Sequence, residues 1–217
     1  MKFLFKLTTR SRPLRAIKTL ESIFNNVESD NFTVLISLDE DDITTPDVYD
    51  WCRGRFEKIV IAFGKSENKI DAINRDVERI RFKWDILVNV SDDQVFIKKG
   101  FDKDIRESFT DLDKFIHFPD GNQDRLATMS IIGYDYYMRD KYIYHPSYKS
   151  VYCDNEAQDV AQMRECYIYN PLHIFNHEHP AWGKAEFDGQ YSKNEHPSLY
   201  FKDEVNYRNR KNENFIN

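Results

Sequence analysis

Four apolar runs, FLFKL (3–7), FTVLISL (32–38), KIVIAF (58–63) and DILVNV (85–90), recur at near-even intervals through the first hundred residues. Each has the length and the β-branched or aromatic content of a strand. Between them the apolar residues change to helical spacing, at Leu14, Ile17, Leu20 and Phe24, then Val48, Trp51 and Cys52, then Ile70, Ile73, Val77 and Ile80. Pro13 follows the short loop TTRSR and stands where a helix can begin. Strands alternating with helices make βαβ units, and the right-handed crossover then leaves few folds open. The expected class is α/β, with a Rossmann-like, mostly parallel sheet covered by helices on both faces.

Beyond residue 100 the pattern changes to aromatic-rich segments such as GYDYYMRDKYIYHPSY, with short strand candidates at KFIHF and MSII and a helical stretch near NEAQDVAQM. This half reads as α+β. The polar tail VNYRNRKNENFIN is expected to fray or to dock as an extension. With 217 residues, of which 41% are hydrophobic, the chain can bury its core in one domain spanning 1–217. The change of pattern divides that domain into an α/β half, 1–99, and a half that carries the tail, 100–217.

The 31 basic and 37 acidic residues are interspersed, so no block of like charge marks a nucleic-acid arm or a membrane-surface helix. Nucleic acid is thereby disfavoured as a partner. No apolar stretch approaches the roughly 20 residues of a membrane span, and the chain enters a strand-like run directly after Met1 and Lys2, which predicts a cytoplasmic protein. Cys52, Cys153 and Cys166 lack paired spacing and are expected to be reduced, buried thiols.

Ligands of an open parallel sheet bind outside the carboxyl ends of its strands, so the residues just after each apolar run carry the functional information. All four ends are polar. The first run leads to Thr8, Thr9, Arg10, Ser11 and Arg12, the second to Asp39, the third to Gly64 and Lys65, and the fourth to Ser91, Asp92 and Asp93. Thr8, Thr9 and Arg10 suit a diphosphate beside a helix N-terminus, and a capped, solvated turn is the alternative. Asp39 can accept from a nucleobase or ribose, or cap the next helix. Lys69, at the start of a helix, can meet a phosphate or simply face solvent.

Ser91, Asp92 and Asp93 say more. Two adjacent carboxylates directly after a buried strand repel one another unless a cation or ligand offsets them. Mg²⁺ or Mn²⁺ with diphosphate oxygens does so. Neighbouring side chains diverge, which assigns the metal to Asp93 and a ribose or metal-water contact to Asp92. The late segment FNHEHPAWGKAEFDGQYSKNE is too polar for core, and its HxH spacing puts His177 and His179 on one side of an extended segment, where one of them could complete a metal site.

In this order along the chain, TTRSRP, Asp39, the helix start from Lys65 to Asn74 and Ser91-Asp92-Asp93 resemble a GT-A fold glycosyltransferase, in particular the inverting enzymes of family 2. Ser91 occupies the first acidic position of the family's DxD motif, so Asp93 is the acidic metal ligand that carries over. The resemblance implies a Mn²⁺- or Mg²⁺-dependent inverting transfer from a nucleotide-diphosphate sugar, with a UDP-sugar favoured, to a glycan or other hydroxyl acceptor. It also implies a late histidine on the metal or diphosphate, a role that falls to His177 or His179. In VYCDNEAQDVAQ it implies Asp154 as general base; Cys153 replaces the acidic residue usual before it, and Glu156 is the second candidate. Trp182, Glu186 and Asp188 are candidates for the acceptor side, Trp182 by stacking on a sugar or, equally, as a packed anchor. Two rivals share the fold. A sugar nucleotidyltransferase would want a glycine-rich phosphate loop, and TTRSRP has no glycine; a catalytically silent nucleotide- or sugar-binding domain would fit Ser91 and Cys153.

Overall fold

A computed structural model describes residues 1–216. The four apolar runs are strands β1 (Phe3–Thr9), β2 (Phe32–Asp39), β3 (Ile59–Gly64) and β4 (Ile86–Ser91). They pair in parallel, β3 on β2, β2 on β1 and β1 on β4. Their residues alternate between two cores: Phe3, Phe5 and Leu7 face one, Leu4, Leu35 and Leu87 the other. Burial on both faces is the reason these strands read as continuous apolar runs rather than as alternating ones.

The intervening helices are α1 (Pro13–Asn26), α2 (Thr45–Cys52) and α3 (Lys69–Asn74). Pro13 opens α1, which lays Ala16, Leu20 and Ile23 on the sheet. α3 is shorter than the apolar spacing predicts. The chain leaves the helix at Arg75, passes through Asp76 in the left-handed region (φ 75°) and makes a 3₁₀ turn at Val77–Arg79. That turn still delivers Val77 to the core while pointing the Asp76 carboxylate inward, where Ser37 Oγ donates to it at 2.6 Å.

The order of the seven-stranded sheet is β3-β2-β1-β4-β7-β6-β8, completed by β6 (Phe115–His117), β7 (Ile131–Gly133) and β8 (Tyr167–Tyr169). β7 runs antiparallel to both neighbours. The two strand candidates beyond residue 100, KFIHF and MSII, are β6 and β7. The chain winds outward from β1 to β3 and then returns to place β4 on the other side of β1, so strand order reverses between β1 and β4. That reversal opens a crevice at the carboxyl ends of the two strands.

The remaining elements are β5 (Gln94–Phe96), α4 (Phe101–Ser108), α5 (Tyr134–Asp140), α6 (Cys153–Met163), β9 (Phe175–His177), α7 (Gly189–Asn194) and α8 (Pro197–Asn212). β5 and β9 pair antiparallel beside the crevice. The polar tail is helical to Asn212 and docked on α6: the Tyr207 hydroxyl donates to Asp159 at 2.6 Å, and Arg210 donates to both carboxylate oxygens of Glu156 at 2.8 Å each. Among the described residues no helix is long and apolar enough to cross a membrane. All three cysteines are buried free thiols.

Among the described residues one cation lies wholly inside. Lys6, on β1, is 0% exposed and donates from Nζ to Ser37 Oγ (2.5 Å) and to the carbonyl oxygen of Ala72 (3.2 Å). Burial pushes its ammonium down to about 7, with Asp76 pulling the other way. A lowered folded value means that the unfolded chain binds more protons between that value and 10.5, so this group makes stability rise with pH in that window. Denaturant unfolding of wild type and Lys6→Met at pH 7 and pH 9 is expected to show wild type gaining about 2 kcal/mol on the variant; a gap that does not change with pH would contradict the lowered folded value and leave Lys6 charged throughout.

Candidate active site

A cavity of about 700 Å³ opens at the carboxyl ends of β1, β2 and β4 and is closed by the starts of α3 and α6, by β9 and by α7. Its size is that of a small-molecule or cofactor site. Thr8, Thr9, Arg10, Asp39, Lys69, Ser91, Asp92, Asp93, Asp154, His177 and His179 all line it. Residues spread over the whole sequence thus meet because each ends or begins an element on one side of the sheet.

Asp92 and Asp93 emerge together from β4 and are 6% and 5% exposed. Asp92 turns toward β1, where Thr9 Oγ1 donates to it at 2.8 Å and Arg12 Nη1 stands at 3.3 Å. Asp93 turns toward α7 and β9: Tyr191 donates its hydroxyl to Oδ2 at 2.7 Å, and His177 Nε2 lies 3.4 Å from Oδ1 without the geometry of a hydrogen bond. Burial and the charge of Asp93 push Asp92 up to about 6. Burial would raise Asp93 as well, but the facing His177 and the surrounding donors outweigh it and hold that carboxyl below its ordinary range. Two carboxylates side by side away from water share the strain in this way.

The two histidines separate. His179 Nδ1 accepts from the backbone N–H of Ala181 at 3.2 Å and Nε2 contacts Glu195 Oε1 at 2.7 Å, so both nitrogens are spent, one on capping the 3₁₀ turn Pro180–Trp182 and the other on a hydrogen bond to Glu195. His177, the last residue of β9, lies between Asp93 and Asp120, with Nδ1 3.6 Å from Asp120 Oδ2. Burial opposes its protonation, yet the two carboxylates push it up to about 9. Asp93 Oδ1 and His177 Nδ1 are buried without hydrogen-bond partners.

The unsatisfied Asp93 Oδ1, with His177 Nε2 beside it, gives a donor set of carboxylate oxygen and imidazole nitrogen that fits a divalent cation. Among the described residues no three acidic, histidine or cysteine side chains converge to hold a metal unaided. Mg²⁺ and Mn²⁺ do not require that many, because substrate phosphates and water complete their coordination.

At β2 the buried Asp39 accepts from Arg10 (2.9 Å), Ser66 (2.7 Å) and Arg75 (3.2 Å), while Arg10 also forks onto Asp41 at 2.7 and 3.0 Å. Asp39 is thus held at the cavity wall by arginines rather than capping α2. Lys69 begins α3, whose cap is Asn68. Asp154 stands in the first turn of α6, preceded by Tyr152 in the left-handed region (φ 60°). Burial raises the Asp154 carboxyl above its ordinary value, with the nearby Lys69 charge pulling against it.

Four expected residues are not brought to the cavity wall. Glu156 turns the other way and is clamped by Arg210 (2.8 and 2.8 Å) and Tyr148 (2.7 Å), tying α6 to α8. Asp188 caps α7 and accepts a forked pair of hydrogen bonds from Arg12 at 2.8 and 2.6 Å. Trp182 is 51% exposed and Glu186 is exposed, and neither lines the cavity. In their place stand residues without an assigned role in the sequence: Arg12, stacked 3.8 Å over Tyr191, then Tyr191 itself, and Asp120 behind His177. Arg12 was within reach as part of TTRSRP. Asp120 sits in PDGN, a turn signal, but nothing local connects that turn to His177.

No known protein family model matches the sequence, and no curated protein matches it. Solved structures do match in fold. The mannosyltransferase PcManGT from Pyrobaculum calidifontis, in complex with GDP-Man and Mn²⁺, superposes with a TM-score of 0.67 at 11% identity, over 81% of this chain and 56% of that one. TarS 1-349 of S. aureus in complex with UDP-GlcNAc gives 0.63 at 13% identity, over 81% and 57%, and its complex with UDP gives 0.62 at 13%, over 81% and 59%. This chain therefore spans 56% to 59% of the length of these proteins. At such identities the likeness is one of fold, and the fold is the GT-A fold that the ordered strand ends suggest.

Proposed function

We propose that this protein is a divalent-metal-dependent, inverting glycosyltransferase that moves a sugar from a nucleotide-diphosphate sugar to an acceptor hydroxyl. The observation that carries the reading is one cavity at the strand-order reversal containing both Asp93, with an unsatisfied buried oxygen facing His177, and Asp154 at the start of α6. That the structural neighbours were solved with GDP-Man, UDP-GlcNAc and Mn²⁺ supports the choice of donor and cation.

The roles follow from position. Asp39 and the Thr8–Arg10 turn form the nucleoside end of the cavity, with a UDP-sugar as the favoured donor. Asp93 and His177 would hold Mn²⁺ or Mg²⁺, which supplies neutralisation of the charge developing on the leaving diphosphate. Lys69 adds a fixed positive charge on the α3 side. Asp154 takes the proton of the acceptor hydroxyl as its oxygen bonds to the anomeric carbon, while the bond from that carbon to the diphosphate oxygen breaks on the opposite face. Attack opposite the leaving group inverts the anomeric centre. The acceptor class, a glycan or another hydroxyl compound, is bounded by the Tyr152 and Tyr200 side of the cavity, whose rings suit a sugar face.

Nucleoside diphosphates and their sugars, each with and without Mn²⁺, test the reading by thermal shift. At a hundredfold excess over Kd a ligand stabilises the native state by about 2.7 kcal/mol. For a chain of this size that raises the midpoint by roughly 5–10 °C. A UDP compound with Mn²⁺ is expected to produce the largest rise and to be turned over with a suitable acceptor. Absence of any rise across the set would sink the proposal, and binding with no turnover would favour a silent binding domain.

A further inference from the structure

Behind the site stands a carboxylate that no part of the transfer chemistry uses. Asp120 follows β6 in the turn PDGN, is 1% exposed, and is locked in place by four donors. The backbone N–H groups of Asn122 and Gln123 reach Oδ1 at 2.9 Å each, while Gln123 Nε2 and Thr128 Oγ1 reach Oδ2 at 3.0 and 3.2 Å. Its backbone is tied to the same strand as its side chain faces. His177 N–H donates to the Asp120 carbonyl oxygen at 2.9 Å, and Asn122 Nδ2 donates to the His177 carbonyl oxygen at 2.8 Å. Gly121 lets the turn close: at φ +78°, a Cβ there would lie 2.5 Å from His173 Nε2 and 2.6 Å from Asn176 Oδ1. Turn and strand are therefore one rigid unit with Oδ2 of Asp120 aimed at Nδ1 of His177 across 3.6 Å.

We propose that Asp120 is a positioning residue, which fixes the ring orientation and tautomer of His177 so that Nε2 presents its lone pair beside Asp93. This rests on the assignment of Asp93 and His177 to a divalent cation and adds to it the reason that His177 can serve. A neutral imidazole carries its single proton on either nitrogen, and only the form protonated at Nδ1 leaves Nε2 able to bind a cation. An acceptor-only group held opposite Nδ1 selects that form. It also prevents the ring from turning over. Where a carboxylate plays this part behind a metal-bound histidine, its loss weakens metal affinity by about 10- to 100-fold. Ser91 in place of an acidic residue leaves this site few protein ligands, so the quality of the histidine counts for more.

The test measures Mn²⁺ binding to the full chain with UDP present, by the electron paramagnetic resonance signal of free Mn²⁺, for wild type, Asp93→Ala and Asp120→Asn. Asparagine keeps the size and can still accept from the turn, but it offers an N–H to Nδ1. The expected result is binding to wild type, loss in Asp93→Ala and a 10- to 100-fold weaker Kd in Asp120→Asn. A second measurement needs no variant: ¹⁵N shifts of His177 with Cd²⁺ and UDP are expected to report a protonated Nδ1 and a metal-bound Nε2. Wild type that does not bind Mn²⁺ would overturn the metal assignment and this proposal together. Unchanged affinity in Asp120→Asn, with Asp93→Ala still defective, would overturn the role of Asp120 alone, as would a proton on Nε2 in the Cd²⁺ complex.

Discussion

Asp154→Asn is expected to slow sugar transfer by about 10²- to 10⁴-fold at saturating donor and acceptor, the range that a positioned general base contributes. The amide keeps the shape and the turn of α6 but cannot take a proton. Because Asp154 is assigned to the acceptor hydroxyl and not to the nucleotide, the thermal shift given by nucleoside diphosphate and Mn²⁺ should survive the change. Glu156→Ala is the contrasting case on the same helix. It removes the partner of Arg210, whose side chain is 12% exposed, and the acceptor of the Tyr148 hydroxyl. Breaking a buried pair by deleting one member costs about 3–5 kcal/mol, read as a lower denaturant midpoint, while turnover by the remaining folded protein stays near that of wild type. The reverse result, with Glu156→Ala inactive but stable and Asp154→Asn active, would move the base to Glu156.

The choice between these two carboxylates shows what was legible in the sequence. Both stand in VYCDNEAQDVAQ, and the segment alone left the base open between them. Two residues along a helix turn through about 200°, so Asp154 and Glu156 point to opposite sides. Deciding which side faces the cavity needed Arg210, more than fifty positions away in a tail that reads only as polar. His177 and His179 are the converse. Their alternation places them on one side of a strand, but β9 ends at His177, and the backbone then turns so that His179 serves as a cap. Strand ends were readable because apolar runs stop sharply at polar residues, and Thr8, Asp39, Ser91 and Asp93 at those ends line one cavity. Asp120, Tyr191 and the role of Arg12 were not, because each acts through a contact with a distant segment. The short strands β5, β8 and β9 and helices α4, α5 and α7 escaped for a related reason: three to eight residues carry too few periods to show a pattern.

Asp93→Asn is expected to lower turnover by about 10³-fold, because an electrostatic contribution of several kcal/mol at the leaving diphosphate is lost. The rise in thermal midpoint that Mn²⁺ adds to the nucleoside diphosphate should vanish with it. The protein without ligand should hold its midpoint within a few degrees. Asparagine can still accept the Tyr191 hydroxyl, His177 retains Asp120, and Asp92 no longer faces a second negative charge in a site where both side chains are nearly buried. That pairing of outcomes separates a functional carboxylate from a structural one: a residue kept for packing would lose stability before activity, whereas one held against its neighbour's repulsion loses activity alone. His177→Ala extends the argument, since with Ser91 contributing no charge the cation depends on the β9 end as much as on β4. Equal loss of the Mn²⁺ increment in Asp93→Asn and His177→Ala would support a shared site. An increment that persists in both variants would show that the cation binds elsewhere or through the nucleotide only.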